Sequence, residues 1–146
     1  MVLFTTFTST MKTKHSLSLL LVSALTGFAW ADTAIETLPS GVKVEHLKMG
    51  TGASPTAADT VVAHYRGTLP DGKEFDSSYK RGEPIAFPLS RVIPCWTDGM
   101  QKIKIGGKAK LTCPPETACG AEGVRGVIPP KATLTFEVEL VGIKKN

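Results

Sequence analysis

Val92-Ile93-Pro94-Cys95-Trp96 and the residues after it decide how this chain of 146 residues folds. From Pro94 the apolar side chains recur at Trp96, Met100 and Ile103, with small Gly99 beside them. That spacing places them on one face of a 3.6-residue helix. Pro94 suits a first helical turn, where a missing N–H costs nothing, and Gly106-Gly107 is a stop signal. The pattern predicts about three turns of helix, typical of a globular domain. Its polar face (Thr97, Asp98, Gln101, Lys102, Lys104) is narrow, so the helix should be largely enclosed.

Outward from this helix, nearly everything after residue 40 reads as strand or turn. Val42 to Leu47 alternates at its start, and Gly50-Thr51-Gly52 turns the chain. Thr60 to Leu69 puts Val61, Ala63 and Tyr65 on one face, and Val62, His64 and Arg66 on the other. Pro70-Asp71-Gly72-Lys73 is a tight turn. Ala109, Leu111 and Cys113 alternate with Lys108, Lys110 and Thr112. From Ala132 to Val141, Leu134, Phe136, Val138 and Leu140 face in, against Thr133, Thr135, Glu137 and Glu139. Strict alternation with one wet face favours an antiparallel sheet. The expected fold is therefore α+β: a twisted antiparallel sheet wrapped around one short helix, with Trp96 at its centre.

The N-terminal segment reads differently. A basic run, Met11 to His15, precedes the apolar run SLSLLLVSALTGFA, too short to span a bilayer. Ala29-Trp30-Ala31 has the small-x-small pattern of a signal-peptidase site. Residues 1–31 are thus expected to be a signal peptide, 32–41 a short polar lead-in and 42–146 the working domain. No cysteine near the cleavage point invites a lipid anchor. The reading is an exported protein, periplasmic or secreted, with no membrane span after processing. Processing removes Lys12 and Lys14, so Lys plus Arg falls from 17 to 15 against 13 acidic residues. A net charge of +2 is too small to argue for nucleic acid. The lysines at 102, 104, 108 and 110 read as a solvated face.

Two long segments rich in Pro and Gly, Ser77–Leu89 and Pro114–Pro130, interrupt the strands. Loops of this length in a compact domain are usually functional, and both flank the start of the helix. A search for a nucleophile or a metal set there fails. There is no Gly-x-Ser-x-Gly, no Cys-x-x-Cys and no phosphate-binding glycine loop. His46 and His64 lie in strand patterns, as surface or satisfied histidines. What remains is apolar and aromatic: Tyr65, Phe75, Phe87, Val92, Ile93, Trp96, Ile128 and Phe136, with Asp76 and Arg81 nearby. An apolar pocket with a few polar groups at its rim is the default binding site, and no cofactor or metal is expected in it.

These residues carry a resemblance. His64-Tyr65, Asp71-Gly72-Lys73-x-Phe75-Asp76-Ser77-Ser78, Val92-Ile93-Pro94-x-Trp96, Gly106-Gly107-Lys108-Ala109 and Ile128-Pro129-Pro130-x-Ala132-Thr133-Leu134 occur in this order. The set is similar to the FKBP family of macrolide-binding peptidyl-prolyl cis–trans isomerases, from about residue 42 to 143. The resemblance implies a prolyl pocket lined by Tyr65, Phe75, Asp76, Val92, Ile93, Trp96 and Phe136. Arg81, Ile85, Phe87 and Ile128 complete or support it, and Cys119 stands where family members commonly carry a tyrosine. Ile85 likewise stands where many members have an aromatic residue. The implied function is to isomerise X–Pro bonds in proteins folding after export. A binding module or holdase using the same groove is the alternative. Proline-containing polypeptides are the implied clients and macrolides the implied inhibitors. Larger exported members dimerise through a long helical N-terminal domain. Only about ten residues stand in its place, so a monomer is expected.

Three cysteines allow three pairings. Cys113 ends a strand whose inward face carries Ala109 and Leu111, and Cys95 lies in the helix that this face should cover. That placement favours Cys95–Cys113, with Cys119 free; two reduced, buried cysteines are the alternative.

Overall fold

The computed structural model describes residues 34–145. The expected signal peptide lies outside them. A seven-stranded, wholly antiparallel sheet forms around one principal helix. The strands are β1 (Ile35–Thr37), β2 (Lys43–Lys48), β3 (Thr60–Thr68), β4 (Glu74–Ser77), β5 (Ile85–Pro88), β6 (Lys108–Cys113) and β7 (Leu134–Lys144). Their order is β1-β2-β6-β7-β3-β4, with β5 also pairing β3. The helices are a single turn, α1 (Ser78–Arg81), and the central α2 (Pro94–Met100).

The alternating patterns become the inner face of this sheet. Val44, Val61, Ala63, Ala109, Leu111, Cys113, Val138 and Leu140 are fully buried, with Cys95 and Met100 of α2 against them. A Cβ on Gly99 would lie 2.9 Å from Leu111 Cδ2, so the missing side chain lets α2 settle closely on β6. A register shift between Val62 and Ala63 breaks the β3–β7 ladder. Such a bulge sharpens strand twist and helps a sheet curl around a helix. Cys95 and Cys113 form a disulfide across the α2–β6 contact, with Cα atoms 5.6 Å apart.

Three readings need correction. The helix ends at Met100, two turns rather than three, although Ile103 is buried as its spacing required. Lys102 and Ile103 donate to Gly99 and Met100 carbonyls, a tight turn that takes over where Gly99 weakens the helix. Next, Ser77–Leu89 is not irregular, for it contains α1 and β5. Four-residue elements are too short to show a period. Last, the polar stretch before residue 42 supplies β1, which pairs with β2 from Ile35↔Glu45 to Thr37↔Lys43. Among the described residues, no helix is long and apolar enough to cross a membrane.

The edge of β3 positions the site. Residues 60–63 pair with β5 and residues 66–68 with β4, leaving His64 and Tyr65 between the two partners. Buried Ser78, the first residue of α1, fills that gap. Its Oγ accepts from Tyr65 N–H at 2.7 Å and donates to Tyr65 O at 3.2 Å. A side chain thus satisfies backbone groups that lost their strand partner.

Candidate functional site

Pro94 starts α2 with Ile93 as its N-cap residue, and Trp96 projects from the first turn. Its indole is only 4% exposed and is the hub of an aromatic cluster. Tyr65, Phe87 and Phe136 meet it edge-on, with ring centroids 5.3, 4.9 and 5.5 Å away. Phe75 meets Phe136 the same way at 5.6 Å. Edge-to-face pairs fix ring orientation better than aliphatic packing does. The rings enclose an open concavity of about 420 Å³ above Trp96.

Phe75 owes its place to a residue that sequence reading passed over. Gly67 on β3 pairs with Phe136 on one side and Asp76 on the other. A Cβ there would lie 2.5 Å from Phe75 Cζ and 3.0 Å from Phe136 Cε1. The ring therefore lies across a bare strand position. The signal was a glycine inside an alternating strand, which marks a close approach.

One rim of the concavity is polar and fully paired. Tyr65 Oη donates to Asp76 Oδ2 at 2.5 Å, and Arg81 Nη1 donates to Oδ1 at 2.8 Å. Ser77 N–H also donates to Oδ1 at 2.9 Å. Arg81 Nη2 donates to Tyr65 Oη at 2.6 Å while its guanidinium lies 5.7 Å from the Tyr65 ring centroid. Burial works to raise the Asp76 pKa, but the hydrogen bonds from Tyr65 and Arg81 outweigh it, and the carboxyl stays below its ordinary value. Burial, then the bond to Asp76, raises the Tyr65 phenol. Asp76 is thus a carboxylate with both oxygens engaged, and Tyr65 keeps its proton. Glu74 helps seat α1 by pairing with Arg66 at 2.6 Å and Lys80 at 2.8 Å.

The opposite rim comes from the loop after β6. Cys119 and Ile128 reach the concavity there. Cys119 is unpaired and half-buried. Backbone bonds hold the loop: Gly120 N–H to Pro115 O at 2.8 Å and Lys131 N–H to Gly120 O at 3.0 Å.

Of the residues expected at the site, Tyr65, Phe75, Asp76, Phe87, Val92, Ile93, Trp96, Cys119, Ile128 and Phe136 line the concavity. Arg81 and Ile85 do not. Arg81 acts from outside, through Asp76 and Tyr65. Ile85 pairs with Ala63 and packs against the core. Arg91 and Leu134 line it as well. The strand alternation marks Leu134 only as core, and Arg91 is placed by the 3-10 turn Leu89–Arg91, which leaves no sequence signal. Among the described residues, no group of three or more His, Cys, Asp or Glu side chains could hold a metal ion.

Residues 52–141 match the family model of the FKBP-type peptidyl-prolyl cis-trans isomerase. The chain belongs to this FKBP family. FkpA of Escherichia coli (strain K12) is 51% identical over 113 residues, covering 77% of this chain and 42% of that protein. Peptidyl-prolyl cis-trans isomerase Mip of Coxiella burnetii is 42% identical over 112 residues, covering 77% and 49%. FK506-binding protein 1 of Dictyostelium discoideum is 47% identical over 106 residues, covering 71% of this chain and 99% of its own. This FKBP chain therefore spans less than half the length of the FkpA proteins it matches, and nearly all of the Dictyostelium one. The crystal structure of FkpA from Escherichia coli superposes with a TM-score of 0.73 at 51% identity, covering 76% of this chain and 52% of that one. A Pseudomonas syringae isomerase structure gives 0.73 at 38% identity, covering 79% and 84%. The FKBP fold, an antiparallel sheet around one main helix, is thereby shown.

Proposed function

We propose that the protein is a peptidyl-prolyl cis–trans isomerase acting on proline-containing polypeptides outside the cytoplasm. The observation that carries this reading is the open, mainly apolar aromatic concavity floored by Trp96 and bounded on one rim by the Tyr65–Asp76–Arg81 network.

An X–Pro amide isomerises over a barrier of about 18–20 kcal/mol, and only a twist about the C–N bond is required. A thousandfold acceleration needs about 4 kcal/mol of preferential binding to the twisted form, which requires no covalent step. Twisting ends amide resonance and lowers the carbonyl dipole, so an apolar pocket stabilises the twisted amide relative to the planar one. Trp96 supports the proline ring, and Tyr65, Phe75 and Phe136 flank it. The backbone N–H of Ile93, next to the start of α2, holds a substrate carbonyl. Asp76 takes no proton: with both oxygens engaged, it fixes Tyr65 at the rim and places a negative charge near the rotating carbonyl carbon. Cys119, where a tyrosine is usual, offers a poor donor, so one substrate hydrogen bond is weak or missing.

Export rests on the sequence of residues 11–31, and the Cys95–Cys113 disulfide supports it, because such bonds persist in oxidising compartments. N-terminal sequencing of the protein recovered from a cell fraction should begin at Asp32. The monomer expectation is read by light scattering of that material. A protease-coupled assay on a short X–Pro peptide tests the activity: wild-type protein should speed the slow phase, and a macrolide added to the same assay should suppress it. An unchanged slow phase with folded protein rejects the reading.

A further inference from the structure

The concavity above Trp96 has two charged side chains in its lining, Asp76 and Arg91. They are not equivalent. Asp76 has both carboxylate oxygens engaged, and the Arg81 guanidinium stands against its charge at 2.8 Å. Arg91 is exposed and, among the described residues, makes no ion pair and no side-chain hydrogen bond. With Asp76 matched by Arg81, the charge left unmatched at the concavity is the Arg91 guanidinium.

The backbone beneath that charge is anchored. Arg91 closes the 3-10 turn Leu89–Arg91 and directly precedes Val92 and Ile93, which also line the concavity. Leu89 is fully buried. Its N–H donates to Asp59 O at 3.0 Å, and its carbonyl accepts from Thr97 Oγ1 at 2.7 Å. The turn is thus tied both to the residue before β3 and to α2. A long cationic side chain on such a base keeps its head in water while its stem lies over the apolar rim.

We infer that Arg91 is a specificity-determining residue, favouring X–Pro segments that carry an Asp or Glu next to the proline. The inference deepens the isomerase reading and rests on it, since that reading seats the proline on Trp96 and a substrate carbonyl on Ile93 N–H. Arg91 lies two residues before Ile93, and an extended client advances about 3.3–3.6 Å per residue. A residue beside the proline therefore comes within reach of the guanidinium. A carboxylate there matches its fork of donors with two parallel hydrogen bonds. A client lysine at the same place meets like charge and is disfavoured.

End-blocked X–Pro peptides test this, with Glu or Lys directly before the proline in one pair and directly after it in another. Blocked ends leave that side chain as the variable charge. Catalysed cis–trans exchange is followed by NMR well below saturation, where the rate reports kcat/KM. In at least one pair the wild type should favour Glu over Lys by about threefold to tenfold. Salt at about 1 M should shrink that ratio toward one. Arg91→Lys should keep a preference for Glu, Arg91→Gln should bring the ratio within about twofold of one, and Arg91→Glu should invert it. A purely structural role would slow all the peptides alike and invert nothing. Equal rates for Glu and Lys in both pairs overturn the inference, as does a wild-type ratio in Arg91→Glu. If the wild type speeds none of the peptides, the isomerase reading falls by itself. Arg91 is then read from calorimetric titration with the same peptides: tighter Glu binding that Arg91→Glu inverts sustains the inference, and equal or undetected binding overturns it.

Discussion

The two rims of the concavity are built by different means. The rim of Tyr65, Asp76 and Arg81 is locked by side chains: a carboxylate with both oxygens paired, a phenol between acid and base, and a ring seated on Gly67. The rim of Cys119 and Ile128 is held by backbone bonds, and at its root by the Cys95–Cys113 disulfide just before Pro114. Its side-chain hydrogen bond, Thr117 Oγ1 to Pro114 O at 2.8 Å, is local. A side-chain network specifies geometry that a single substitution destroys. A backbone-held loop leaves its side chains free to change, and Cys119 stands in that loop.

The largest effect should come from the floor that both rims share. Trp96→Ala removes the hub of the aromatic cluster and should cost about 3–5 kcal/mol, abolishing activity and lowering the melting temperature together. An unchanged melting point would break the picture of one floor joining both rims.

Removing the tether comes next. Replacing Cys95 and Cys113 with Ala opens a loop of sequence separation 18 and should cost about 3 kcal/mol in the chain-entropy model. Thiol labelling of the unreduced wild type should find one reactive cysteine, Cys119. Labelling of Cys95 or Cys113 on unfolding without reductant would remove the tether from the comparison.

On the locked rim, Gly67→Ala should drive the Phe75 ring from its seat at about 1–3 kcal/mol, the usual range for overpacking. Activity should fall further than stability, because Phe75 lines the site while the sheet can relax. Equal losses would mean that Gly67 serves only the fold.

Asp76→Asn should cost about 1–2 kcal/mol, discounted because the carboxylate is 40% exposed. The pH dependence has a definite sign. The folded pKa of Asp76 lies below 3.8, so its contribution is fully present above 3.8 and is lost as pH falls through the folded value. Wild type and Asp76→Asn should therefore converge in stability as pH falls below that folded value. A gap that persists at lower pH would assign the difference to something other than the charge.

The smallest effect belongs to the backbone-held rim. Cys119→Tyr restores a hydroxyl over the pocket and should raise isomerase activity or macrolide affinity by about twofold to tenfold, one neutral hydrogen bond. Unchanged binding in a folded variant would show that residue 119 does not reach the substrate, and would sharpen the contrast between the rims.

Much of this was legible in the sequence because it is local and periodic. The alternation of Ala109, Leu111 and Cys113 and of Leu134 to Leu140 determined the sheet's inner face. The spacing from Pro94 to Met100 determined a helix and which side of it is buried. Those patterns hold because a strand repeats every two residues and a helix every 3.6, whatever surrounds them. Tertiary structure alone decided the rest. It split β3 between two partners and brought Ser78 into the gap at Tyr65. It seated Phe75 on Gly67, left Arg81 behind the pocket wall, and ended α2 a turn early. Each depends on residues far apart in the chain meeting across the sheet, and on short elements whose few residues carry no period. A contact of that kind has no signature in one dimension, because its energy exists only once both partners are in place.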